Sequence, residues 1–184
     1  MPDPFAPPLG MPQGTVVLLP YDDRWPAAFA AEATRIWPLV SAHALDIQHI
    51  GSTAVPGLAA KPGLDIALAV DTDEAVAICR EALTSLGYEF YDAEANGPGH
   101  SYFIRGRQVR THQAHIWRLP TYGWDDHLYL RDRLRADPSL AAAYAALKQT
   151  LARTHASDKA AYTEAKTEFV QAVLHSRQSG SIGP

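Results

Sequence analysis

The sequence predicts an α+β fold, a mixed β-sheet region followed by a helical region. Strand-like runs of β-branched and aromatic residues cluster between about residues 45 and 117, and Ala-rich segments with helical spacing fill the last third. A chain of 184 residues, 47% of them apolar and 20% charged, is also long enough to build one domain with its own core.

Residues 1–14, with five Pro, two Gly and no periodic apolar face, read as a flexible N-terminal arm. Residues 176–184 read as a flexible tail, which leaves 15–175 as the single domain. Val16 to Leu19 is a short apolar run ended by Pro20. From Trp25 to Val40 the recurrence of Phe29, Ala33, Ile36, Trp37 and Val40 gives a helix one face to bury. Leu45 to Ile50 is a strand that runs into Gly51-Ser52-Thr53. Leu64 to Val70 is near-continuously apolar, the pattern of a strand covered on both faces.

Asp71 or Thr72 can then cap a helix whose Val76, Ile78, Cys79, Ala82, Leu83 and Leu86 face inward, with Gly87 closing it. Strands are expected at Tyr88 to Tyr91, Ser101 to Arg105 and Val109 to Trp117, the first two separated by the turn Ala95 to Gly99 (ANGPG). Three helices finish the chain: Trp124 to Arg135, a second from the Asp137-Pro138 cap to Thr154, and a third from a Ser157 cap to His175.

Net charge is −4, which argues against a surface made for general nucleic-acid binding. The charge is unevenly placed: residues 105–177 carry twelve Lys or Arg against seven Asp or Glu, and the remainder four against thirteen. One end of the fold can therefore favour a compact polyanion such as a nucleotide, or the helix surfaces simply differ in charge. The lone Cys79 excludes internal disulfides and cysteine-based metal or redox spacings. No apolar stretch approaches the roughly 20 residues of a membrane span, and the N-terminus lacks a basic and apolar leader pattern. The expected setting is the cytoplasm.

The segment from His49 to Ile66, HIGSTAVPGLAAKPGLDI, carries the chemistry. A strand enters Gly51-Ser52, a loop follows, and a second strand begins with Asp65. Gly51 lets backbone approach a ligand, Ser52 offers hydroxyl and amide to a phosphate oxygen, and Asp65 can hold a divalent cation beside it. Within the loop, Lys61 can reach a phosphate or the Asp65 carboxylate, Pro62 stiffens the path, and His49 can orient Ser52 or pack beneath it.

HIGSTAVPGLAAKP resembles the signature of the GrpB-like family. The similarity continues through WDDHLYLRDRLR (124–135), YAALKQTL (144–151) and YTEAKTEFV (162–170). The family is similar to the nucleotidyltransferase fold of the DNA polymerase β type, with related domains fused to dephospho-CoA kinase. The resemblance implies a mixed sheet in which the Gly51-Ser52-Thr53 turn cradles a nucleoside triphosphate. It further implies two carboxylates at i, i+2 on the next strand holding two Mg²⁺ ions, because alternate strand residues share a face. Asp65 matches the first position, but Ala67 stands at the second.

Gln113 and His115 alternate on a later strand, at positions where the family often carries two histidines. His115 can bind a metal, serve as acid or base, hydrogen-bond a phosphate, or be a structural histidine; His112 points to the opposite face. Arg131, Arg135, Lys148 and Lys166 lie in the family-like helical segments with Tyr144 and Tyr162. Lys166, four residues after Tyr162, shares its helix face, so ammonium and ring can grip phosphate and base, or the cations are simply solvated. Trp25, Trp37, Trp117 and Trp124 suit a core at least as well as a stacked base.

The candidate set is thus Asp65 and His115 for catalysis and metal, with Gly51, Ser52, Thr53, Lys61, Gln113, Arg131, Lys148, Tyr162 and Lys166 for phosphate or nucleotide. Transfer of a nucleotidyl group to a small acceptor is the first expectation. A binding module for a nucleotide or coenzyme A precursor is the second, and metal-dependent phosphoester hydrolysis the third.

Overall fold

The computed structural model describes residues 9–12, 14–91 and 99–179. Its elements in chain order are β1 (Met11–Pro12), α1 (Trp25–Val40), β2 (Asp46–Ile50), a 3-10 turn (Ser52–Ala54), β3 (Leu64–Val70), α2 (Asp73–Ser85), β4 (Glu89–Phe90), β5 (His100–Arg105), β6 (Val109–Arg110), β7 (His112–Arg118), α3 (Tyr122–Ala136), α4 (Pro138–Thr154), α5 (Lys159–Glu164) and α6 (Thr167–Ser179). The main sheet has the order β2-β3-β7-β5-β4, and only the central β3–β7 pair is parallel. The expected α+β class with a mixed sheet and a C-terminal helical region is therefore the observed one.

Period-two alternation on the strands divides the sheet into two faces. Ile66, Leu68 and Val70 of β3, Ala114 and Ile116 of β7 and Phe103 of β5 point one way, into a core closed by Ile36 and Val40 of α1 and by Ala75, Cys79 and Leu83 of α2. Asp65 and Ala67 point the other way with Gln113, His115 and Trp117, toward the helical region; Ala67, Ala69 and Trp117 pack there with Trp124 of α3. Four of the helices, α2 to α5, begin where a side chain meets the first free amides, whereas α1 starts after Arg24 with no side-chain cap. Thr72 Oγ1 accepts from Ala75 N on α2, Asp137 Oδ1 from Ser139 N and Leu140 N on α4, and Asp158 Oδ1 from Ala161 N on α5.

A carboxylate is buried beside the larger core. Glu32 of α1, 5% exposed, accepts from the Tyr88 hydroxyl at 3.0 Å, Arg105 at 2.6 Å and Arg35 at 2.7 Å. Burial pushes its carboxyl up, and the guanidiniums of Arg105 and Arg35 more than reverse that, leaving it below its ordinary value.

Several boundaries differ from expectation for local reasons. Within the arm expected over 1–14, Met11–Pro12 pairs with Val109–Arg110 and Gly10 N bonds to Pro62 O; residues 1–8 lie outside the described residues. The strand expected from Val109 to Trp117 is two strands. Thr111, whose N bonds Arg105 O and whose O accepts from Leu64 N, hands the chain from the small sheet to the large one. The helix expected from Ser157 to His175 breaks after Glu164. There Thr163 Oγ1 bonds back to Lys159 O at 2.9 Å, a contact that bends helices. Its cap is Asp158 rather than Ser157, and α6 continues through residues 176–179 of the expected tail; 180–184 are outside the described residues. Of the expected turn ANGPG, only Gly99 is described. Among the described residues no helix is long and apolar enough to cross a membrane.

Candidate functional site

β2 delivers the chain to Gly51 at φ 72, ψ −172, a backbone conformation that is essentially open to glycine alone. A Cβ there would collide with Asp65 Oδ2. Bend and carboxylate, expected to meet, are thus in van der Waals contact. Asp65 Oδ1 accepts from Gln113 Nε2 directly across the parallel pair, and Gln113 Oε1 accepts from the Tyr102 hydroxyl on β5. Arg110 reaches that hydroxyl at 3.5 Å. Burial raises the Asp65 carboxyl above its ordinary value against the opposing pull of Lys61, His127, Lys159 and Lys166. Gly51→Ala is expected to cost about 1–3 kcal/mol from backbone strain alone, plus the collision with Asp65. A melting temperature lower by about 5 °C or more by circular dichroism is the check.

Above this carboxylate lies a group of ammoniums from distant parts of the chain. Lys148 on α4, only 2% exposed, donates to Ser52 Oγ at 3.0 Å and to the Ala59 carbonyl, with its Nζ 4.9 Å from the Tyr144 ring centre. Lys61 from the loop and Lys166 from the α5–α6 junction both stand over the Tyr162 ring, at 5.0 and 4.6 Å. Lys159 on α5 lies within the electrostatic reach of Asp65, Lys61 and Lys166. Burial, then Lys166 and Lys61, bring Lys148 down to about 7. Burial and Lys61 bring Lys166 to about 8 despite Asp65, and burial with Arg110 and Lys61 brings Lys159 to about 8. Lys61 is lowered by burial in spite of Asp65. Among the described residues none of the four makes an ion pair with a carboxylate.

Gly51, Ser52, Lys61, Asp65, Gln113, Lys148, Tyr162 and Lys166 are thus brought into one cluster. Thr53 and Arg131 are held elsewhere. The Thr53 hydroxyl, buried, donates to Gly63 O at 3.2 Å, so His49 Nε2 donates to it at 3.0 Å. His49 packs face to face on Phe29, and burial, then Arg135 and Arg131, push its imidazole down to about 4. Arg131 donates to Gln48 Oε1 and His49 O and pairs with Asp132, while Arg135 donates to Ala54 O. These two arginines fasten α3 to the loop rather than face the lysines. His112 stands against Arg105 on the opposite face of the sheet.

His115 is apart from Asp65. It lies across from Ala67, its Nδ1 is 2.9 Å from His100 Nε2, and its ring lies parallel to those of His100 and Trp117. Burial, then His127 and His100, hold it well below its ordinary value, so it is neutral near pH 7. Among the described residues no group of three or more His, Cys, Asp or Glu side chains is placed to hold a metal ion. Of the pair expected to share a metal, Asp65 has Gln113 directly across from it, and His115 stands one pair further along the same face.

Sequence reasoning missed Lys159, Arg110, Tyr102, His100 and His127. Tyr102 and His100 alternate on β5 as Gln113 and His115 do on β7, a signal that becomes useful only once the two strands are paired. Lys159 follows a helix cap and has no other mark. A groove of about 400 Å³ beside Leu18, Pro20, Tyr21 and Gln149 has no charged lining residue and offers nothing to a polyanion.

Comparison with known proteins matches this architecture. The chain is 39% identical over 163 residues to a UPF0157 protein of Pseudomonas aeruginosa, covering 86% of this chain and 66% of that protein. A 30% identical segment also occurs in the dephospho-CoA kinase of Mycolicibacterium paratuberculosis, where the match spans 43% of the kinase. The crystal structure of conserved protein GrpB from Enterococcus faecalis superposes with a TM-score of 0.79 at 31% identity, covering 87% of this chain and 96% of that one. The RNA terminal uridylyl transferase Cid1 superposes at 0.50 with 21% identity over 73% of this chain and 43% of Cid1, a likeness of fold alone. The sheet is thus of the nucleotidyltransferase type, and with the profile of the GrpB protein family matching residues 15–176, the chain belongs to the GrpB family.

Proposed function

We propose that this protein binds a nucleoside polyphosphate in the cleft between the Gly51-Ser52 turn and the lysines of the helical region. The observation that carries the reading is the convergence of Lys61, Lys148, Lys159 and Lys166 with Asp65, the one carboxylate acting among them in the described residues. Mutual repulsion and burial are tolerated there, and an anionic guest would relieve both. Tyr102 and His115, part-buried one side-chain step beyond Asp65, offer rings to a base, whereas Trp117 beyond them is packed against Trp124.

Nucleotidyl transfer to a small acceptor is the second reading, favoured by the carboxylate at the phosphate end of a nucleotidyltransferase-type sheet. The Mg²⁺ pair that such transfer uses does not fit these residues. Asp65 Oδ1 is taken by Gln113, Oδ2 lies against Gly51, and Ala67, fully buried, has no oxygen to offer. Binding is therefore the better supported activity. Hydrolysis through Asp65 and His115 has no shared site to support it.

Calorimetric titration with ATP, GTP, CTP, UTP and inorganic tripolyphosphate tests the reading, and pyrophosphate release measured in parallel separates transfer from binding. Saturable binding is expected, and the absence of heat with all five would remove the proposal. The pH dependence has a definite sign. A terminal phosphate with a second pKa near 6 is fully charged above about pH 7. Lys148 at about 7 and Lys159 and Lys166 at about 8 lose protons from the empty site as pH rises. ATP affinity should then fall about tenfold or more per pH unit above pH 8, because binding must restore those protons.

A further inference from the structure

Resting on the reading of the cleft as a nucleotide pocket, we infer that it takes the polyphosphate in its metal-free form, the ammoniums of Lys61, Lys148, Lys159 and Lys166 standing where a metal pair would otherwise neutralise the phosphates. Geometry supports this from two sides. On the acidic side, both oxygens of Asp65 are engaged: Gln113 donates to one, and the other lies against Gly51 with no room even for a methyl group. The next position on that strand face is Ala67, packed among Ile50, Ala69, Trp117 and Trp124, so no second acidic ligand can approach from β3.

On the basic side, the four ammoniums arrive from four separate places: the loop before β3, α4, α5 and the α5–α6 junction. Two of them stand over one ring, Tyr162, and a third is held at Ser52 Oγ beside the bend. A ring face stabilises a cation without neutralising it, so these charges remain free to act on a guest. Lysine suits such a role because it is a compact point charge with three donors, able to meet phosphate oxygens from several directions. A divalent cation riding on the phosphates would cancel two negative charges and bring its own charge against four ammoniums and Arg110. Because these lysines are buried or half-buried, that repulsion is poorly screened.

The experiment is a titration of the whole chain with ATP by calorimetry, once in excess EDTA and once in saturating Mg²⁺, for the native protein and Asp65→Asn. The expected result is binding in EDTA at least as tight as in Mg²⁺, by about tenfold. Asp65→Asn should tighten metal-free binding several-fold, since a like charge has been removed from beside the guest. A tenfold or greater loss of affinity in EDTA, or a loss of binding in Asp65→Asn, would overturn the inference while leaving nucleotide binding intact. Absence of binding under both conditions would remove the nucleotide reading itself, and this inference with it. Inorganic tripolyphosphate run in the same pair of buffers is expected to follow ATP; dependence on Mg²⁺ for that ligand would overturn it equally.

Discussion

Lys148→Met should abolish most polyphosphate binding and leave the empty protein about as stable as before. The ammonium is buried beneath the bend, where it donates to Ser52 Oγ and the Ala59 carbonyl. A charged hydrogen bond contributes about 1.5–3 kcal/mol, so its loss toward a polyanion predicts an affinity lower by about 100-fold. Stability answers to two opposing changes. The Ala59 carbonyl loses its donor, at a cost of about 1–3 kcal/mol. Against this, a lysine held near 7 instead of its ordinary 10.5 is unfavourable at neutral pH by a comparable amount, and methionine removes that burden. Calorimetry with ATP and thermal unfolding without it measure the two effects separately. A large fall in melting temperature of the empty variant would make Lys148 a structural residue.

The pH behaviour of the empty protein follows the same logic with a definite sign. The unfolded chain keeps Lys148 protonated up to its ordinary value, whereas the folded chain releases that proton near 7. Between about pH 7 and 10.5 the unfolded state therefore holds more protons, and this group adds stability as pH rises. Bound polyphosphate reverses the preference by holding the proton on.

Glu32→Ala is expected to destabilise the fold by about 3–5 kcal/mol, because it leaves Arg105 beside His112 with its buried counter-charge removed. For a chain of this size the melting temperature should drop by about 10 °C, read by circular dichroism. The Tyr88 hydroxyl also loses its acceptor, which adds to the effect. Adding Arg105→Met to Glu32→Ala should recover part of the loss, since the orphaned charge goes too. If the single substitution costs under about 1 kcal/mol, the network is ornamental. The carboxyl is held below its ordinary value, so its contribution is present at neutral pH and fades as pH falls through the folded pKa.

What the sequence made legible was local. The apolar period from Trp25 to Val40 and the unbroken run from Leu64 to Val70 define α1 and β3 at their observed ends, because one strong signal governs each. Gly51-Ser52, Asp65 and the missing oxygen at Ala67 were also readable, since turn and strand chemistry sit within one stretch, residues 51–67. Partners across the sheet were not. Arg131 looks like a ligand until its acceptors, Gln48 and the His49 carbonyl, more than eighty residues earlier, are seen to hold it. Lys159 looks like any solvated lysine until α5 is laid beside Lys61 and Asp65. The Glu32 network is invisible for the same reason: its members lie at residues 32 and 35 of α1, at residue 88 just before β4, at 105 in β5 and at 112 in β7, with no common spacing.

The α5–α6 junction that carries Lys166 gives the molecule an order of assembly. A chain made from its N-terminus releases the bend and its acid about a hundred residues before the last of the opposing cations emerges. Until then Asp65 has only Lys61, from the loop just before it, among the lysines that oppose it. On the proposed reading, the pocket is complete only once the last helices, which bring Lys148, Lys159 and Lys166, have been made.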